Sequence, residues 1–281
     1  MRRRRLKKLP LSLTNGGELS LFFLGTGSAF TKKNYQNNLL VIKGEDHVMV
    51  DCGTRTSEAF VRLGSNVTAI RNYLITHSHA DHVGGLEEVM LMGRYVTRSK
   101  PRVVITEEYE SILWDQTLRG GSALNERHDG SGLSFGDYWE TVRPAPAEVL
   151  GREGYEVTLG AIKLRAFRTR HFPEQADTWK DSFYSLGLII DDRVFFSGDT
   201  QFDPELVESA VSTHSIEAIF HDTQFFTGGI HASLDEIMTL APEVRRKTLL
   251  MHYPDNWEKQ RRKAKQARLR FARPWHYYDF P

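Results

Sequence analysis

The hexapeptide His77-Ser78-His79-Ala80-Asp81-His82 limits what this chain can become more than any other feature. It follows the β-rich run Tyr73 to Thr76 and precedes Gly84 and Gly85, whose backbone freedom suits a sharp bend into the helical pattern beyond. Three imidazoles and a carboxylate at a strand end form a metal-ligand cluster, because imidazole nitrogen and carboxylate oxygen both suit zinc-like divalent ions. His77 and His79 share one side of an extended strand end and can converge on one ion. Asp81 and His82, past a turn, point to a second ion nearby. The competing reading is a solvated loop with surface histidines. One hexapeptide holds too few ligands for two ions, so further donors are expected at other strand ends. His171 follows the strand-like run 162–169, Asp199 ends the run 193–199, and His252 stands at the end of the run 248–253.

The pattern around these residues predicts an α/β fold. Strand-like runs at 19–25, 38–44 and 47–53 end at glycine-bearing turns, and helical spacing follows at 57–64, 84–96 and 107–120. Strands resume with YEVTL, IKLRAFRT, FYSLGLII and RVFFSGD, the last two joined across Asp191 and Asp192 as a hairpin. Helix, strand, helix and strand then alternate to Tyr253, a basic helix is expected over 256–273, and WHYYDF offers a last strand. Two successive sets of strands then helices suggest two mixed sheets packed face to face with helices outside. The aperiodic stretch from Gly120 to about Pro146 reads as a flap or lid. His128 lies within it, in reach of a substrate.

Charge is placed unevenly. The chain of 281 residues has a formal net charge of +1, yet residues 2–8 carry +6, residues 258–281 another +6, and the body from 9 to 257 a net −11. We expect a basic N-terminal extension over 1–18 and one folded domain over 19–281 with a basic C-terminal helix. A lone Cys52 makes no internal disulfide, which excludes a disulfide-stapled secreted fold and points to packing as its use. No run approaches ~20 apolar residues, so no membrane span is expected, and LPLSLTNGGELS is no signal-peptide core. A cytoplasmic protein is the expectation.

Taken together, FLGTGSAF, NNLLV, DCG, HSHADHVGGL, His171, SGDT, HDT at 221–223, His231 and the final HY resemble the metallo-β-lactamase superfamily, in its tRNase Z-like branch. The resemblance runs from about Leu19 to Tyr253. It implies an αββα four-layer sandwich holding two divalent ions, with zinc the first choice and manganese the alternative. It also implies that His77, His79 and His171 hold one metal and Asp81, His82 and His252 the other, with Asp199 bridging and Asp51 orienting the loop. No cysteine stands at a ligand position, which argues against the zinc β-lactamase branch. Two such ions lower the pKa of a water and clamp a phosphodiester, so hydrolysis is the natural chemistry. Asp81 would accept the proton of the attacking water. His231, oriented by Asp222, would serve as general acid, although Asp222 stands where the family has glutamate and its arm is one methylene shorter. His221 has no free place in this set. His47, His214 and His276 read as surface or packing residues, and the amides of the GTGSAF turn are candidates to face the site.

The interval between His171 and Asp199 leaves no room for the arm with which tRNA-maturing relatives grip their substrate. The acidic body is also a poor surface for a polyanion, since such affinity comes from Lys and Arg neutralising phosphates. The chain therefore resembles the arm-less anti-Pycsar-type phosphodiesterases. A small nucleotide substrate, most of all a 3′,5′-cyclic nucleotide, is expected, and RNA is disfavoured. The alternatives are a tRNase Z-type endoribonuclease and a metal-binding nucleic-acid interaction protein without hydrolysis. RRRRLKK reads as a solvated arm, and the basic tail as a segment that docks on the acidic body of its own chain or of a partner subunit, and from this charge segregation a homodimer is expected.

Overall fold

Alternation along the strands of the second half sorts apolar side chains onto two faces. Leu188, Ile190, Phe196, Phe220, Leu249 and Met251 enter one core, while their neighbours Ile189, Phe195, Ile219 and Leu250 enter another with Leu206, Val207, Ala210 and Val244. A sheet apolar on both faces must be covered on both. The computed structural model, which describes residues 1–128 and 130–281 and only the backbone of His128, shows the expected αββα sandwich, and the expectation for the His128 side chain lies outside the described residues.

Each large sheet has eight strands among the described residues. The first runs in the order Arg2–Arg5, His276–Phe280, Leu19–Gly25, Asn38–Lys43, Asp46–Val50, Asn72–Leu74, Arg102–Val104 and Glu140–Val142. The second runs Ala145–Val149, Arg152–Leu159, Ile162–Arg168, Leu186–Ile190, Val194–Phe196, Ala218–Asp222, Thr248–Met251 and Arg270–Phe271. In both, antiparallel pairing gives way to parallel pairing, from Asp46–Val50 onward in the first sheet and from Val194–Phe196 onward in the second. Parallel strands bring their C-terminal ends to one edge, and it is there that the chemistry-bearing loops begin. The hairpin between Leu186–Ile190 and Val194–Phe196 turns through Asp191 and Asp192, both left-handed at φ 51° and 57°, a conformation that aspartate tolerates better than most residues.

Three expectations are corrected. Residues 2–5 are not a solvated arm: Arg2–Arg5 is an edge strand, antiparallel to His276–Phe280. Arg4 bonds to the buried Asp279 carboxylate at 2.7 Å and lies 3.7 Å from the Tyr277 ring centre. Nor do residues 133–139 of the expected lid close over anything, whereas residue 129 of that stretch lies outside the described residues. Leu133, Phe135, Tyr138 and Trp139 are buried in the main core, Trp139 against Tyr73 and Phe135 against Trp114, and the stretch carries the chain from one sheet to the other. Finally, the basic tail is helical only over Trp257–Gln260 and Arg261–Gln266. At Arg268 the backbone turns left-handed, φ 64°, which delivers Leu269 and Phe271 to the apolar face beside Trp257. Among the described residues no helix is long and apolar enough to cross a membrane.

Candidate metal centre

The site is assembled from loops that leave the C-terminal strand ends. After Asp46–Val50 the chain reaches Asp51 in a left-handed conformation, φ 65°. The Asp51 carboxylate accepts bonds from the Thr76 amide at 2.8 Å and the Thr76 hydroxyl, and lies 2.7 Å from His82 Nδ1. One buried side chain thus ties the end of the neighbouring strand to the imidazole of the hexapeptide. The backbones around it are in close contact: a Cβ on Gly53 would stand 2.1 Å from the Asp81 carbonyl oxygen. Cys52 is buried behind this loop, its thiol pushed up to about 12 by burial, so it packs and does not react.

Two donor groups that share no residue result, and a third, of Asp199, Asp222, His231 and His252, overlaps the second. His77, His79 and His171 form the first. His77 Nε2 lies 3.0 Å and His171 Nε2 3.2 Å from His79 Nδ1. His171 Nδ1 donates to the Ile230 carbonyl at 2.8 Å, which turns the other ring nitrogen into the group. Asp81, His82, Asp199 and His252 form the second. Here Asp81 Oδ2 lies 3.0 Å from His252 Nε2 and 3.2 Å from His82 Nε2. Asp199 Oδ2 lies 3.2 Å from His82 Nε2 and 3.3 Å from His252 Nε2, and 3.9 Å from both His77 Nε2 and His171 Nε2. It is the oxygen that faces both groups.

Electrostatics separates them. Burial holds His77 well below its usual range, lowers His79, and takes His171 down to about 3. These are neutral imidazoles, the form that ligates metal. In the second group burial opposes charge, but the carboxylates outweigh it: His82 and His252 are raised, while Asp81 and Asp199 are held low by the same imidazoles. Two buried carboxylates thus demand positive charge. His82 Nε2 and Asp199 Oδ1 are also buried without a hydrogen-bond partner among the described residues. Orphaned atoms of this kind, in a set of imidazole and carboxylate donors without thiolate, fit divalent cations.

His231 stands beside both groups, its ring centre 5.0 Å from that of His171 and 4.7 Å from that of His252. Its Nδ1 lies 2.8 Å from Asp222 Oδ2, so the short aspartate arm does span the gap. His221 is absent from the donor groups. Its Nδ1 bonds the Asp222 carbonyl at 2.8 Å and lies 3.3 Å from Asp222 Oδ1. Two of the GTGSAF amides are spent away from the site, Gly27 N–H on the Tyr35 carbonyl and Ser28 N–H on the Tyr253 carbonyl. His47, His214 and His276 belong to none of these groups. One neighbour went unread in the sequence. The Phe172 ring lies 4.5 Å from His79 and 5.0 Å from His171, and carries Phe183, 63% exposed, stacked at 5.3 Å. An aromatic residue directly after a candidate ligand was the available signal.

A family model described as anti-Pycsar protein Apyc1 matches residues 19–278. The chain belongs to the Apyc1 family. The anti-Pycsar protein Apyc1 of Bacillus phage BSP38 is 37% identical over 254 residues, covering 89% of this chain and 93% of the phage protein. That of Paenibacillus sp. (strain J14) is 36% identical over 242 residues, covering 85% and 91%. Among solved structures, the metallo-beta-lactamase fold protein YhfI from Bacillus subtilis matches with a TM-score of 0.66 over 94% of this chain and 100% of its own, at 13% identity. That likeness concerns the fold. Both donor groups of this Apyc1-family chain lie inside the matched residues, and the edge strand Arg2–Arg5 lies outside them.

Proposed function

We propose that this chain is a metal-dependent phosphodiesterase that opens 3′,5′-cyclic nucleotides. The observation that carries the reading is Asp199 Oδ2, set between two buried donor groups. His77, His79 and His171 would hold one cation and Asp81, His82 and His252 the other, with Asp199 shared; the donor set favours zinc, with manganese the alternative. When bound, two such cations neutralise phosphate oxygens and lower the pKa of water. The residues do the rest. Asp81 accepts a proton from the water that attacks phosphorus. As the bond from phosphorus to O3′ breaks, His231 donates a proton to the departing oxygen, and Asp222 keeps the imidazole aligned. The product is a linear 5′-nucleotide.

Membership of the Apyc1 family supports a small cyclic substrate, as does the short connection 172–185, which extends no strand or helix of its own among the described residues. Phe172 and Phe183 offer a ring face for the base. Phe172→Ala is therefore expected to raise KM for a cyclic nucleotide about tenfold, for a stacking loss of 1–3 kcal/mol, with kcat changed less. Product analysis across cyclic mononucleotides, cyclic dinucleotides and pre-tRNA tests the reading as a whole. Release of 5′-nucleotide supports it, and trimming of pre-tRNA with no turnover of cyclic substrates contradicts it.

A salt-sensitive homodimer is also proposed, supported by the acidic body and the exposed Lys259, Arg261, Arg262 and Lys265 of the tail. Sedimentation at low and high salt tests it: dimer giving way to monomer is expected, and monomer at both is the contrary result.

A further inference from the structure

We infer that the chain carries a second, non-catalytic site for a small, multiply charged phosphate compound of the nucleoside triphosphate class. It lies in a basic groove of 640 Å³ formed by the N-terminal strand, the 32–35 loop, the helix Thr56–Arg62 and the 273–276 segment. That volume is ordinary for a small-molecule site, roughly 300–1,000 Å³. None of the donor groups of the metal centre lines it.

The period of two in a strand builds one wall. Arg2 and Arg4 turn to Asp279, at 3.6 and 2.7 Å, whereas Arg3 and Arg5 line the groove. Lys32 and Lys33 line the opposite wall, and among the described residues no carboxylate pairs with the side chains of Arg3, Arg5, Lys32 or Lys33. The loop that presents the lysines is fixed: Lys32 N–H donates to Asp255 at 2.7 Å, and Arg55 reaches the Lys32 and Asn34 carbonyls. The two neighbouring carboxylates are committed elsewhere, Asp255 to the Thr31 hydroxyl and the Lys32 and Lys33 amides, and Glu58 to Arg55 and Arg62 at 3.1 Å each. The surplus positive charge is felt locally, since burial first and then Arg3, Arg5 and Arg273 hold His276 below its usual range.

Two further observations point to a ligand. Trp275 is held left-handed, φ 60°, a costly backbone for an aromatic residue, and lies near-parallel to Tyr35 with ring centres 6.4 Å apart. Its Nε1 and Asn34 Nδ2, both on groove-lining residues, are buried donors without a partner among the described residues. Unpaired cations, spare donors and an aromatic pair are what a phosphate chain and a nucleoside ring would use. The charge outside the groove decides the size of the ligand. Residues 9–257 carry a net −11, so the positive charge a long polyanion would need is confined to the ends of the chain, while a compact triphosphate matches a groove of 640 Å³.

The test is isothermal titration of the metal-loaded chain with β,γ-methylene-ATP. One ligand per chain is expected. Arg3→Ser with Arg5→Ser, and separately Lys32→Ser with Lys33→Ser, should each weaken it about tenfold or more, leaving cyclic-nucleotide turnover unchanged. Arg2→Ser and His231→Ala should leave the affinity unchanged. The lysine pair covers the chance that loss of the arginines detaches the strand. No binding, binding insensitive to both pairs, or binding abolished by His231→Ala overturns the inference. So does tighter, pair-dependent binding of a twenty-nucleotide single-stranded RNA.

Discussion

Replacing His231 by alanine is expected to lower kcat for a 3′,5′-cyclic nucleotide by about 10²–10⁴-fold, the usual range for a positioned proton donor, with both metals retained. The reason is its placement. His231 adjoins both donor groups through His171 and His252, yet its Nδ1 is spent on the buried Asp222 carboxylate. Asp222 is held below the usual carboxylate range despite burial, because His221 and His231 both contact it. That contact fixes the ring from which a proton would pass to O3′. Asp222→Asn should therefore lose activity in the same direction by a smaller factor. A substrate with a good leaving group, such as a p-nitrophenyl phosphodiester, needs no protonation and should be much less affected by His231→Ala. Metal analysis beside the kinetics separates this role from ligation. If His231→Ala loses a metal, or loses the two substrates equally, His231 is not the acid.

A larger effect is expected at Asp199. Its Oδ2 faces four imidazoles from the two groups, two within 3.3 Å and two at 3.9 Å. Asp199→Asn keeps the shape and removes the charge, leaving Asp81 as the carboxylate in the second group. Metal content should fall from two per chain to one or fewer, and cyclic-nucleotide hydrolysis by more than about 10⁴-fold, since a shared cation pair acts as a unit. A variant that keeps two metals and a tenth of the activity would refute the bridging role.

The sequence made the site legible because its donors stand at strand ends, where a turn residue and a change of periodicity mark the position. His77, His171, Asp199 and His252 could each be placed in that way. The faces of the second sheet were not readable, because Leu186–Ile190 and Thr248–Met251 are apolar toward both cores. What escaped depends on partners distant in the chain. Four successive arginines have no strand propensity of their own, and Arg2–Arg5 is a strand because Asp279 and Tyr277 receive Arg4. Residues 133–139 lack a period because their aromatic residues fill a core, a task that follows the shape of the cavity and no repeat. The tail helix stops early for a similar reason, since Leu269 and Phe271 must reach the apolar face near Trp257. Phe172 sits over His79 through a tertiary approach that no spacing encodes.

The most direct test of the account is the rate of 3′,5′-cyclic nucleotide hydrolysis as zinc is returned to chelated protein. The rate should start near background, rise to a plateau at two equivalents per chain, and yield a 5′-nucleotide. Full activity without added metal, a plateau at one equivalent, or no hydrolysis at any loading would contradict it.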